Sequence, residues 1–84
     1  MWKKIQGCRV KLRGGAGLVY EEDGRVMLID SELLSGQDFN IVIYLDSIKQ
    51  WQQPHQAVPV STADRARIKE NIASQLNKMR IDWQ

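Results

Sequence analysis

Side chains that could act as nucleophile and base are scarce in this chain, which has one cysteine, Cys8, and one histidine, His55. A cysteine nucleophile needs a base within hydrogen-bond reach. Cys8 falls on the apolar side of an alternating pattern, as a small buried hydrophobe would, whereas His55 follows Pro54 in a predicted loop. A zinc site takes three or four Cys, His or carboxylate ligands. The sequence therefore predicts no catalytic pair, no metal and no cofactor.

Carboxylates are the remaining candidates for chemistry. Asp30 and Glu32 stand two residues apart in "DSE", which places both on one face of a strand, and Asp46 begins the next turn. Such a trio could bind a divalent cation or supply a general acid and base. Asp30 and Asp46 each precede a serine where an apolar run ends, which is typical of turn-forming residues. We favour the turn interpretation and keep a small metal-dependent hydrolase as an alternative.

A basic stripe is the third candidate, because Arg9, Lys11 and Arg13 alternate with apolar residues in "CRVKLR". Three cations on one strand face could contact phosphates, which makes a small nucleic-acid-binding module the alternative function. Tyr20 is the nearby aromatic that could stack a base, but the acidic run 21–23 follows it directly. A net charge of +2 is also small for a nucleic-acid binder. We therefore favour a solvated, neutralised sheet face.

Four strands are predicted to position these residues. The alternating run 8–12 and the segment "LVYEE" form the first two, with a glycine-rich turn at residues 14–17 between them. Asp23-Gly24 predicts a hairpin turn, because glycine accepts a positive φ. Residues 26–29 and 41–45 are continuously apolar, which predicts strands covered on both faces or central in a sheet.

One C-terminal helix is predicted from "STADRARIKENIASQLNKMR", where Ile68, Ile72, Leu76 and Met79 recur at helical spacing. Ser61 followed by Asp64 resembles a capping box, so we place the start of the helix at Ser61. Lys78 and Arg80 are expected in its last turn, where cations complement the helix dipole. The tail "RIDWQ" could add a closing strand with Ile81 and Trp83 on one face.

Strands followed by a helix predict an α+β fold, a small antiparallel sheet of four to five strands in meander order packed on one helix. At 84 residues, 43% of them hydrophobic and 26% charged, the chain is expected to be a single domain, residues 1–84. The longest apolar run, 41–45, is far short of the roughly 20 residues that span a bilayer. The start has no apolar stretch typical of a secretory signal, and a lone cysteine suits a reducing compartment. We expect a cytoplasmic protein.

Three segments together resemble a known family. "RVKLRGGAGLVYEEDGRVMLIDSELLSG", "IVIYLDSIKQWQQPH" and "STADRARIKENI" are similar in order and spacing to small immunity proteins of bacterial polymorphic-toxin and contact-dependent growth inhibition systems, the immunity protein 74 family. The resemblance covers most of residues 9–72, and "DSE" and "DSIKQW" with "PH" are its most specific pieces. The family's usual glycine between helix and final strand is missing from "NKMRIDW", which leaves the closing strand open.

The resemblance implies a non-enzymatic protein that binds and neutralises the C-terminal domain of a cognate toxin and protects the producing cell and its siblings. It does not supply binding residues, so these are predicted from residue type. Acidic side chains on exposed loops could mimic the phosphates that a nuclease toxin binds, and Trp51 either caps the core or anchors an interface. The predicted partner-binding residues are Glu21, Glu22, Asp23, Glu32, Asp38 and Trp51, with the basic patch Arg9, Lys11 and Arg13 as the alternative. The toxin's activity and the inhibitory surface stay open.

Overall fold

The computed structural model describes residues 7–13, 17–35 and 38–84. Most of the predicted glycine-rich turn at residues 14–17 lies outside these ranges. The elements, in chain order, are β1 (Cys8–Leu12), β2 (Leu18–Glu22), β3 (Arg25–Ile29), β4 (Ser31–Leu33), β5 (Ile41–Ile43), a 3₁₀ turn (Leu45–Ser47), α1 (Thr62–Gln75) and β6 (Ile81–Trp83). Strands followed by one helix confirm the predicted α+β class.

The first sheet is antiparallel, in the order β1, β2, β3. Its β2–β3 hairpin closes through Asp23 at φ 51° and Gly24 at φ 79°. Two successive positive φ values are what a tight two-residue hairpin turn requires, and Asp and Gly tolerate them better than other residues. The hairpin predicted from Asp23-Gly24 is thus confirmed.

The single meander sheet predicted from the sequence is wrong, because the chain changes sheets at Asp30. The backbone N–H of Asp30 donates to Ser47 Oγ at 2.9 Å, and its carbonyl accepts from the Tyr44 N–H at 3.0 Å. Hydrogen bonding therefore passes from β2 to the β5 region within one residue. The second sheet has the order β4, β5, β6, with β4 and β5 antiparallel and β5 and β6 parallel.

The hydrophobic core lies between the inner face of the first sheet, the helix and the second sheet. Its buried members are Cys8, Leu18, Tyr20, Met27, Ile29, Ile41, Ile43, Ile48, Trp51, Ile68 and Ile72. The central position expected for residues 26–29 is wrong, since β3 is an edge strand and Leu28 is 43% exposed. β5 fits the expectation better, because it is the central strand of its sheet and all three of its residues are buried.

The predicted capping box is present, with Ser61 as the N-cap of the helix Thr62–Gln75. Ser61 Oγ accepts from the Asp64 N–H, Asp64 Oδ2 accepts from the Ser61 N–H, and both distances are 3.0 Å. The helix ends at Gln75, so the expectation that Lys78 and Arg80 occupy its last turn is wrong. The chain turns back there to form β6, which lies beside β5 and places Ile81 and Trp83 against the core. No helix in the described ranges is long and apolar enough to cross a membrane.

Candidate partner-binding surface

Glu22, one of the acidic residues predicted to face a partner, lies in the protein interior and is 5% exposed. Its Oε1 accepts from the Tyr20 hydroxyl at 3.0 Å and from Arg67 Nη2 at 3.2 Å. Arg67 Nε lies 2.9 Å from Glu22 Oε2, an ion-pair distance without hydrogen-bond geometry. Asn71 Nδ2 donates to the Tyr20 hydroxyl at 2.9 Å. This cluster, which we call the buried polar cluster, joins the helix to the first sheet.

Arg67 also links the buried polar cluster to the start of the helix. Its Nη1 donates to Asp64 Oδ1 at 2.7 Å. The hydrogen bond from the Ser61 backbone, together with the Arg67 guanidinium, lowers the pKa of Asp64 to about 2. Hydrogen bonds to Asp64 and Glu22 raise the pKa of Arg67, and burial raises the pKa of the Tyr20 hydroxyl. Arg67 is thus fixed between two carboxylates and stays charged.

The strand predicted for "LVYEE" is confirmed, so the exposed loops expected to carry the partner-binding carboxylates do not include Glu21 and Glu22. Glu21 and Glu22 lie on β2, and only Asp23 lies in a turn, where it is exposed. Glu21 points to the outer face of the first sheet, where Arg9 Nε lies 3.5 Å from its Oε1. Both side chains of this pair are largely exposed, so it contributes little to stability.

Trp51, the predicted interface anchor or core cap, is 2% exposed. Its ring lies 6.3 Å from the Tyr20 ring, centroid to centroid, and the Arg25 guanidinium lies 5.0 Å above it. The core-capping alternative is therefore confirmed. A buried Trp51 has no surface to offer a partner in this conformation.

The cysteine of this chain lies in the core. Cys8 is 2% exposed, and burial raises the pKa of its thiol, which disfavours the reactive thiolate.

In the basic stripe, Lys11 and Arg13 are exposed, but the neighbours of Lys11 on the outer face of the first sheet are Val19 and Leu28. Tyr20, proposed as a base-stacking residue, is fully buried on the opposite face. In the described part of the chain, no group of three or more His, Cys, Asp or Glu side chains is arranged to hold a metal ion.

The outer face of the second sheet gathers carboxylates around Tyr44. The register aligns Glu32, Val42 and Asp82 across its strands, and the strand period places Asp30 and Tyr44 on the same side. The Tyr44 hydroxyl donates to Glu32 Oε1 at 2.6 Å, and this bond raises the pKa of Tyr44. Asp82 and Asp30 raise it further through their negative charge. We call the set Asp30, Glu32, Tyr44, Asp46 and Asp82 the acidic face.

A pocket of about 300 Å³ opens at one end of the acidic face, lined by Asp30, Tyr44, Asp46, Ser47, Lys49 and Gln84. Ser47 Oγ donates to the Tyr44 carbonyl at 2.6 Å and accepts from the Asp30 N–H. The side chain that closes this turn is therefore Ser47, and not an aspartate as the sequence interpretation supposed. The carboxylates of Asp30 and Asp46 receive no hydrogen bond or ion pair from the described residues, so they are free for another ligand.

The sequence prediction grouped Asp30, Glu32 and Asp46 but missed Asp82 and Tyr44. The alternation Ile81-Asp82-Trp83 was the available signal for Asp82, since it places one carboxylate opposite two apolar residues. Also missed was an apolar tip on the β4–β5 hairpin, where Leu33, Leu34 and Phe39 are 46%, 40% and 40% exposed. Asp38, another predicted partner-binding residue, is exposed beside this tip.

Comparison with known proteins adds one result. A family model described as Immunity protein 74 matches residues 13–83, which include β2 to β6 and the helix. Neither a curated protein nor a solved structure matches the chain. Because the match covers most of the chain and agrees with the resemblance in its sequence segments, this protein belongs to the Immunity protein 74 family.

Proposed function

We propose that this protein binds the C-terminal domain of a cognate bacterial toxin and inactivates it, protecting the cell that makes both and its siblings. Family membership over residues 13–83 is the observation that carries the proposal. The protein acts in the cytoplasm, where a delivered toxin would reach its target. Its place is in a polymorphic-toxin or contact-dependent growth inhibition system, and its action is stoichiometric binding without catalysis.

Two structural features support binding over catalysis. Cys8, which could serve as a nucleophile, is buried, and the pKa of its thiol is raised. Glu22, which lies beside the Arg67 guanidinium, is buried and joins the helix to the first sheet. The acidic face, in contrast, presents two carboxylates without partners among the described residues, Asp30 and Asp46, and the hairpin tip presents apolar side chains to solvent. An exposed apolar patch rimmed by polar or charged residues is typical of a surface where a protein partner docks.

The direct experiment is co-expression with the C-terminal domain of the large protein encoded immediately upstream of this chain's gene. We expect the two to copurify and expect growth to be restored in cells that produce the toxin domain. An unrelated small domain expressed at the same level is the control and should restore nothing. Neither complex nor rescue with the intact protein would refute the proposed function.

A further inference from the structure

Charge on the second sheet differs from charge on the molecule as a whole. The chain carries a net charge of +2. On the outer side of the second sheet, however, the acidic face gathers four carboxylates, with Lys49 at the pocket beside two of them. The effect is visible at Tyr44, whose pKa is raised by Glu32, Asp82 and Asp30. A local negative potential of this kind favours a cationic partner surface.

The pocket defines what such a partner presents. Asp30 and Asp46 line it without partners of their own among the described residues, and Lys49 lines it without forming an ion pair with either. Tyr44, an aromatic residue, lines the same pocket. Carboxylates beside an aromatic ring suit a long cationic side chain, because the cation forms charge-assisted hydrogen bonds while its stem or guanidinium packs on the ring.

Size shows how far the contact extends. The outer face of the second sheet is small. Three neighbouring strands span about 10 Å across the sheet, and five residues span about 13 Å along a strand. A stable protein interface covers about 800 Å² on each partner, so the contact must reach beyond the strands. The surface that continues the outer side along β4 is the hairpin tip, where Leu34 follows Glu32 by the strand period, and the exposed Leu33 and Phe39 border it from the other side of the hairpin. An acidic region next to an apolar anchor completes a docking surface.

We propose that the acidic face and the adjoining hairpin tip hold the toxin, and that the toxin presents a cationic surface with one Arg or Lys side chain entering the pocket. This inference rests on the proposed function. A second copy of this chain is a poorer occupant, because its basic stripe lies on a different sheet. A contact between unlike surfaces of identical chains is head-to-tail, and it leads to open assemblies unless its rotation closes a ring.

The experiment measures binding of the intact protein to a catalytically inactivated form of the same toxin domain. The variant Asp30→Lys with Asp46→Lys reverses two exposed, unpartnered carboxylates. We expect it to fold with an unchanged melting temperature and to bind at least about 10-fold more weakly, chiefly through slower association. Raising the salt should weaken wild-type binding and have less effect on the variant.

The matched control is Glu70→Lys with Ala73→Lys and Ser74→Lys, which changes the net charge by the same amount at exposed positions of the helix. The proposal requires this control to bind within about 3-fold of the wild type, since exposed charges away from an interface matter little. Equal losses in both variants, or no loss in either, would overturn the assignment of the surface while leaving the toxin-binding function intact. If the wild-type protein itself does not bind, the proposed function fails and this inference fails with it.

Discussion

Two tyrosine–glutamate pairs occupy opposite environments in this molecule. Tyr20 donates to Glu22 at 3.0 Å in the interior, and Tyr44 donates to Glu32 at 2.6 Å on the acidic face. The interior pair is completed by Arg67 and Asn71. The surface pair lies among further carboxylates instead. The same two residue types therefore meet two different electrostatic environments.

The difference follows from solvent. A buried carboxylate must be paired and hydrogen-bonded, because burial removes the water that would otherwise stabilise its charge. Exposed carboxylates keep their water, and salt screens their mutual repulsion. The buried polar cluster thus uses its charges to join the helix to the first sheet. On the acidic face, Asp30 and Asp46 have no partner among the described residues, which leaves their charges available to another molecule.

Trp51→Ala should produce the largest loss of stability, because the indole is buried in the core beside the ring of Tyr20. Truncating a buried tryptophan costs about 3–5 kcal/mol of unfolding free energy. Chemical denaturation measures it, and Trp51→Phe, which keeps a ring, should lose less. An unchanged melting temperature for Trp51→Ala would show that this side chain is not part of the core.

Arg67→Ala should follow, since it leaves Glu22 buried without its cation. We expect a loss of about 3 kcal/mol, the low end of the range for breaking a buried pair, because the Arg67 side chain is itself 40% exposed. Adding Glu22→Gln to Arg67→Ala should recover at least half of the loss, because no buried charge then remains at position 22. A single-variant loss typical of an exposed pair, below about 1 kcal/mol, would contradict the role of the cluster.

Removing the hydroxyl of Tyr20 or of Tyr44 compares directly how much each one contributes to stability. Tyr20→Phe should cost about 1–3 kcal/mol, because Asn71 Nδ2 and Glu22 Oε1 lose a partner in the interior. Tyr44→Phe should cost much less, because water replaces the hydroxyl at Glu32. Urea denaturation of both variants tests this. Equal losses would mean that the hydroxyl on the acidic face contributes as much to folding as the one in the interior.

Asp64 gives the smallest effect, seen in the pH dependence of stability. Its pKa is lowered to about 2 from an ordinary value of 3.8. A lowered folded-state pKa stabilises the fold above the unfolded pKa, and that contribution is lost as the pH falls from about 4 toward 2. Thermal melts across this range should show a shallower decline for Asp64→Asn than for the wild type. Parallel curves would show that the Ser61 and Arg67 contacts do not hold the carboxylate in its charged form.

Sequence patterns predicted the parts of the fold that depend on near neighbours. The capping box at Ser61 and Asp64 and the hairpin at Asp23-Gly24 each need only a few consecutive residues, and both are present. The burial of Ile68 and Ile72 follows from helical spacing in the same way. Such local patterns do not show which distant segments pair. The separation of the two sheets at Asp30 was therefore not predicted.

The candidate surface was predicted in part for the same reason. Asp30, Glu32 and Asp46 were grouped because they are close in sequence or follow similar strands. Glu22 was assigned to a partner surface because a carboxylate next to a turn is usually exposed, and nothing local indicated that Arg67, 45 residues away, would pair with it. Asp82 joins the acidic face only because β6 lies beside β5.

The amino-acid sequence alone determined the α+β class, the helix with its cap, the hairpin and the resemblance to an immunity protein family, because those depend on local spacing and on recognisable segments. The tertiary structure decided which carboxylates are neutralised and which stay free. Whether a charge is buried beside a cation or exposed among like charges depends on how distant strands and the helix pack together. The sequence order of those charges does not specify it.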